Sequence, residues 1–155
     1  MKPAILAAVA ALTASQASAL SCLAPDPLAS FSTANAGEAP YLVLLGHVTA
    51  PGQTGMTLDK PTATLGQFTG RGLTMDGFTA DFAGDVVLDV TCAGPWCGSL
   101  PGTGEVLVFA RVDGDTPTID LPACGGWVFD QPDQALLDRL TACLNGADCS
   151  PQTLQ

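Results

Sequence analysis

WCGSLPGTGEVLVFARVDGDTPTIDLPACGGWVF (Trp96–Phe129) holds two β-prone runs on either side of one turn. GEVLVFARV reads as a strand, Asp113-Gly114-Asp115 as a hairpin turn, and TPTIDLPAC as a further short strand. Just upstream, FAGDVVLDVTC places Val86, Leu88, Val90 and Cys92 on one face and Asp85, Asp89 and Thr91 on the other. That alternation predicts a half-buried antiparallel strand. Further back, GQFTGRGLTMDGFTADF carries Asp76-Gly77 between two β-prone runs, a hairpin signal. YLVLLGHV (Tyr41–Val48) reads as a strand apolar on both faces, with a bend or bulge at Gly46. Residues 50–62 hold Pro51, Gly52, Gly55 and Pro61 and read as a loop.

Two helices frame these strands. Asp26-Pro27 followed by LASFSTANAGEA has the pattern of an N-cap, a proline at the first helical position and a short helix. PDQALLDRLTACLNG reads as an amphipathic helix with Leu136, Leu140, Cys143 and Leu144 on its apolar face, closed by Asn145-Gly146. The expected order is a short helix, about five strands and a terminal helix. Twisted antiparallel strands in this number close or pack to avoid exposed edges, so the residues predict a mainly β barrel or sandwich with a C-terminal helix.

The first nineteen residues, MKPAILAAVAALTASQASA, have the charged, apolar and A-x-A order of a signal peptide, with cleavage expected after Ala19. Their apolar run is too short to span a bilayer, and no later stretch is long and apolar enough. Leu20–Gln155 then has the size of one domain. All six cysteines (Cys22, Cys92, Cys97, Cys124, Cys143 and Cys149) follow Ala19. An even count in an exported chain reads as three disulfides and a periplasmic or secreted location. Zinc is the competing reading of these spacings, but the chain has one histidine, and no metal is expected.

The chain has a net charge of −10, with fifteen acids against five bases, and thirteen of the acids are Asp. Such a surface excludes phosphate-rich partners, so nucleic acid is not expected to bind. No cofactor is expected either, because there is no glycine-rich phosphate loop. GSLPG places Ser99 wrongly for a nucleophile elbow. His47, the single histidine, falls within the first strand and reads as an outer-face polar residue. The chain therefore reads as non-catalytic.

The Trp96–Phe129 segment, followed by a helix bearing Cys143, resembles the core of the tissue inhibitor of metalloproteinases and netrin-module superfamily. The resemblance lies in a Cys-Gly, an apolar strand with a V-F-A centre, a turn and strand, a cysteine, and then a helix with a cysteine. Cys22, soon followed by Pro and a short helix, is similar as well. The layout resembles a bacterial exported branch of that superfamily. It implies a five-stranded OB-type Greek-key barrel flanked by helices. It also implies Cys22 bonded to Cys124, leaving Cys92–Cys97 and Cys143–Cys149 as local loops. In the superfamily a mature N-terminal cysteine chelates a protease's zinc through its α-amine and carbonyl, within a C-x-C motif. This chain has a single cysteine there, in LSCLAP. Cleavage after Ala19 puts Leu20 and Ser21 ahead of it, and cleavage after Ser21 exposes it.

Three roles for Cys22 thus stand: a disulfide partner, an acylated anchor, or a chelating N-terminus. The small Ser21 suits acylation, but the other flanking residues suit it poorly, and acylation leaves an odd thiol count. The disulfide role is the expected one. A non-catalytic binding module for an unknown protein partner, inhibitor-like in kind, is the expected function, with a structural or lipid-anchored envelope role as the alternative and a small hydrolase of unknown type behind it. Trp96, in a loop that Cys92 and Cys97 staple, is one candidate contact, although packing as a lid over the barrel mouth is the favoured reading. Arg71, between Gly70 and Gly72, is the other, although pairing with a nearby Asp is favoured. The Phe68–Phe82 hairpin has no assigned role. The charge balance makes one prediction directly: titration with double-stranded DNA at physiological salt shows no binding by fluorescence anisotropy, and salt-sensitive micromolar binding overturns the exclusion.

Overall fold

A computed structural model of the protein describes residues 21–50, 60–102 and 104–150. The signal-peptide reading over Met1–Ala19 and most of the 50–62 loop fall outside them. The elements are α1 (Pro27–Ala36), β1 (Tyr41–Thr49), β2 (Thr62–Thr74), β3 (Gly77–Val90), β4 (Cys92–Ala93), β5 (Trp96–Cys97), β6 (Val106–Arg111), β7 (Thr118–Leu121), β8 (Val128–Asp130) and α2 (Gln134–Leu144). Strand order runs β1-β2-β3-β7-β6 and returns to β1, closing a five-stranded barrel. All ladders are antiparallel except β3–β7, which runs parallel from Val87↔Thr118 to Val90↔Leu121. This is the OB-type Greek-key arrangement.

The expectation that β3 is antiparallel holds on its β2 side only. Alternation of apolar residues reports which face is buried and not which way the neighbour runs. β3 also stops at Val90, so Cys92 leaves it and enters the small β4–β5 hairpin.

The core has two layers, and β6 separates them. Val106, Val108 and Ala110 point into the barrel with Leu44, Phe68, Val86, Leu88, Val90, Ile119 and Leu121. Leu107 and Phe109 point outward, beneath Leu28 and Phe31 of α1 and Leu137 and Leu140 of α2. β6 is thus buried on both faces, and period-2 geometry assigns its successive side chains to different cores.

Local chemistry sets both helices. The Asp26 carboxylate accepts from the N–H groups of Leu28 (2.8 Å) and Ala29 (2.9 Å), with Pro27 at the first helical position. The Asp133 carboxylate caps α2 by accepting from Leu136 N–H at 2.8 Å. The buried stripe of α2 is Leu137, Leu140 and Cys143. Leu144, expected on that face, is the helix's last residue and is 38% exposed.

Two backbone details depart from the sequence reading. The β2–β3 turn is centred on Met75-Asp76, one residue early, and Gly77 takes the left-handed conformation at φ +97°. Gly46 makes no bulge, since β1 keeps an unbroken register with β2. Instead Gly46 lies opposite Gly70 where the backbones nearly touch. A Cβ on Gly70 would stand 2.1 Å from the Leu45 carbonyl oxygen and 2.7 Å from the Gly46 Cα. Gly46 is also the last β1 residue paired with β6, so this contact sits where the barrel turns its corner.

Gly70→Ala should therefore lose at least about 2–3 kcal/mol, because backbone must move to admit the methyl. Gly84→Ala, where a Cβ meets only Phe82 ring atoms at 3.8 Å, should be neutral or slightly stabilising. Urea unfolding of both variants checks this, and equal midpoints would refute the close-contact account.

Candidate interaction surface

The chain's first described residues are tied to the segment after β7. Cys22 is bonded to Cys124 across 102 positions, with the two Cα atoms 5.3 Å apart. Pro25 lies against Gly125 and Gly126, both at positive φ. Ser30 Oγ donates to the Gly126 carbonyl at 2.6 Å. A covalent bond, a proline contact and a hydrogen bond thus hold α1 and its lead-in to the β7–β8 connection. Leu23, inside this anchored segment, is 91% exposed.

The β4–β5 hairpin is attached to the same connection. Thr91 N–H donates to the Leu121 carbonyl and Gly98 N–H to the Thr91 carbonyl, each at 3.0 Å. Gly98 lies so close to Leu121 that a Cβ there would stand 1.9 Å from its carbonyl oxygen. Cys92 and Cys97 face each other across the hairpin and are bonded. Trp96 stands beside this staple, its ring near Gly94, and is 45% exposed. The expected folding-back of Trp96 as a lid does not occur. Val90, Ile119 and Leu121 pack the barrel interior, and Trp96 is not among the residues packed with them. Trp127 does pack, stacked on Tyr41 with centroids 5.2 Å apart and edge-on to Phe109 at 6.3 Å. Burial pushes the Tyr41 phenol above its ordinary value, and the Asp120 carboxylate adds to the shift.

Arg71 is elsewhere. It is exposed on β2, opposite Asp81 in register, yet it forms no ion pair among the described residues. The expected Asp partnership is not made. Arg71 lines a cleft of about 480 Å³ with Asp76, Gln134 and Asp138. Asp81 and Val90 are nine residues apart on β3, roughly 30 Å of strand, so Arg71 and Trp96 lie toward opposite ends of the barrel.

The cation that does pair is Arg111, which the sequence reading had not singled out. Its Nε and Nη2 donate to the Asp120 carboxylate at 3.2 and 3.1 Å, and its Nη1 meets Asp113. The Asp120 hydrogen bond raises the guanidinium above its ordinary value. Arg111↔Thr118 is the single bridge between β6 and β7, so this fork clamps the barrel at its thinnest seam. The Asp113–Asp115 turn thereby serves closure.

The third disulfide, Cys143–Cys149, fastens the chain after α2. There Asp148 accepts from Ser150 Oγ at 2.7 Å and Ser150 N–H at 3.0 Å, which holds its carboxyl below the usual range. His47 is exposed on β1. Among the described residues no cluster of three His, Cys, Asp or Glu is placed to hold a metal ion, and no helix is long and apolar enough to cross a membrane. Comparisons with protein-family models, curated proteins and solved structures found no match to this chain.

Cys22→Ser should expose one titratable thiol, that of Cys124, and lower stability by up to about 4–5 kcal/mol, the chain-entropy limit for so long a loop. Thiol titration of the native variant and its denaturant midpoint check this. A variant that frees no thiol and moves from membrane to soluble fraction would show that Cys22 carries a lipid instead.

Proposed function

We propose that this protein is an exported, non-catalytic, disulfide-braced module that binds another protein through the barrel end bearing Leu23 and Trp96. The observation that carries this reading is the 45%-exposed indole of Trp96 on a hairpin closed by its own disulfide. An exposed Trp loses hydrophobic free energy in the free protein, and a rigid mount spares the entropy of ordering it on contact. Leu23, 91% exposed on a segment tied to the same β7–β8 connection, adds a second apolar contact. Three disulfides suit an oxidising compartment outside the cytoplasm.

The absence of catalysis is part of the proposal. Every cysteine is bonded and unavailable as a thiolate nucleophile. Kinship with the tissue inhibitor of metalloproteinases and netrin-module superfamily is proposed too, supported by the OB-type barrel and by the tie from Cys22 to it. The departure from C-x-C leaves metalloprotease inhibition outside the proposed activity. The lipid-anchor alternative is disfavoured because the Cys22 sulfur, bonded to Cys124, is not free to form a thioether.

A photo-crosslinking amino acid at position 93, opposite Trp96 across the hairpin, tests the surface in the native envelope. We expect a discrete adduct that excess unmodified protein competes away and excess Trp96→Ala protein does not. The same group at position 47 should give no such adduct. With the partner in hand, Trp96→Ala should weaken affinity by about 2 kcal/mol or more, the range of a hot-spot residue. An adduct equally strong from both positions, or competition unaffected by Trp96→Ala, would refute the assignment.

A further inference from the structure

β1 and β2 part company before either ends. Val112 N–H donates to the Pro40 carbonyl at 2.8 Å. By the alternation of an antiparallel ladder, the even-numbered residues of β1 direct their backbone groups to β6, and Tyr41, Val43 and Leu45 direct theirs toward β2. Pairing with β2 begins only at Leu44↔Gly72, so Tyr41, Leu42 and Val43 have no partner residue there. β2 runs on to Thr74 with β3 alone beside it. Its tip is drawn aside by α2: Asn145 Nδ2 donates to the Met75 carbonyl at 2.8 Å, and Phe78 is buried with Leu137 and Leu140.

The splayed strands bound a cleft of about 460 Å³ beside the end of α1. Phe31, Leu42, Leu73 and Phe82 give it an apolar lining, and Glu38 and Asp81 supply carboxylates with no Lys or Arg among the lining residues. The Tyr41 N–H and C=O face this space with no backbone partner among the described residues. An interrupted ladder, apolar walls and two carboxylates meet in one recess.

We propose that this cleft receives an extended peptide segment of a partner protein, which adds a short strand to the Tyr41–Val43 edge. Its alternate side chains would be apolar, and at least one of the others Lys or Arg. Main-chain pairing gives such a mode its affinity, and alternate side-chain pockets its selectivity. Three residues of free edge span about 10 Å, so the pairing segment is short. So short an edge favours a single strand over the sheet of a second copy of the chain. The cleft shares no lining residue with the Trp96 surface and stands or falls separately from it.

The probe is an N-acetylated, C-amidated hexapeptide of alternating Val and Lys, titrated into the isotope-labelled full chain and followed by amide NMR. Binding should shift the Tyr41 and Val43 amides and slow their exchange with solvent. N-methylation of alternate peptide nitrogens on the pairing edge should weaken binding about tenfold or more, since it deletes backbone donors and keeps the side chains. Replacing Lys by Glu in the peptide, or the exposed Glu38 and Asp81 by Gln and Asn in the protein, should weaken binding at low salt. Equal affinity for the N-methylated peptide would overturn strand addition and leave a plain apolar cleft. Shifts confined to Trp96 and Leu23 would overturn the location. Protection of Tyr41 and Val43 without peptide, lost on removing residues 151–155 or on dilution of a dimer, would mean that the chain itself fills the cleft, and would overturn the proposal.

Discussion

A five-residue run, Val106–Ala110, is fully shielded from water on both faces, and the rest of the fold is arranged around it. Three of its side chains complete the barrel interior and two form the floor on which α1 and α2 rest. Its two edges are spoken for as well. One pairs with β1, and the other is shared between β8 and the single bridge to β7. Burying this strand removes its large side chains from water, which contributes on the order of 1.5–3 kcal/mol for each Val, Leu or Phe. The barrel, the helices and the β7–β8 connection are therefore coupled through one segment. A change that loosens β6 loosens both cores together.

The surfaces proposed for binding are consequences of how that strand is covered. β8 takes the part of the β6 edge that β7 leaves, so the chain must cross from β7 to β8 around one end of the barrel. That crossing becomes the anchor for Cys22, for Pro25 and for the Trp96 hairpin. At the far end, α2 covers Leu107 and Phe109 and also holds the tip of the β2–β3 hairpin, which pulls β2 from β1. One surface is built by bracing and the other by separation.

Much of this architecture was legible in the residues, and the rest was hidden for physical reasons. Val86, Leu88 and Val90 announced their strand because one face is wholly inside the barrel and the other is not. Asp26-Pro27 marked a helix start because capping is a local interaction. The parallel β3–β7 ladder left no local trace, since it joins segments about thirty residues apart. Trp96 reads as a buried residue by type, yet it stands exposed on a two-residue strand beside the Cys92–Cys97 bond. Arg71 and Arg111 look alike in the sequence, each a lone cation in an acidic chain. Arg111 finds its carboxylates because the chain folds back from β6 to β7 and returns Asp120 beside it. Arg71 sits opposite Asp81 across a twisted hairpin without closing the gap. Pairing is decided by tertiary geometry that charge counting does not contain.

The spacing of the disulfides also sets a timetable. If the chain is exported N-terminus first, as proposed above, Cys22 would reach oxidising surroundings long before Cys124. Cys92 and Cys97 arrive in between, as competing thiols. They are only five positions apart and are aligned by their own hairpin, so closing their loop is far less demanding than reaching back to Cys22. Once joined, they leave Cys22 a single suitor when Cys124 emerges, because Cys143 and Cys149 follow later and are also near neighbours. Of the two short staples only Cys92–Cys97 precedes Cys124 in the chain, so it alone would clear wrong partners from the path of the long bond.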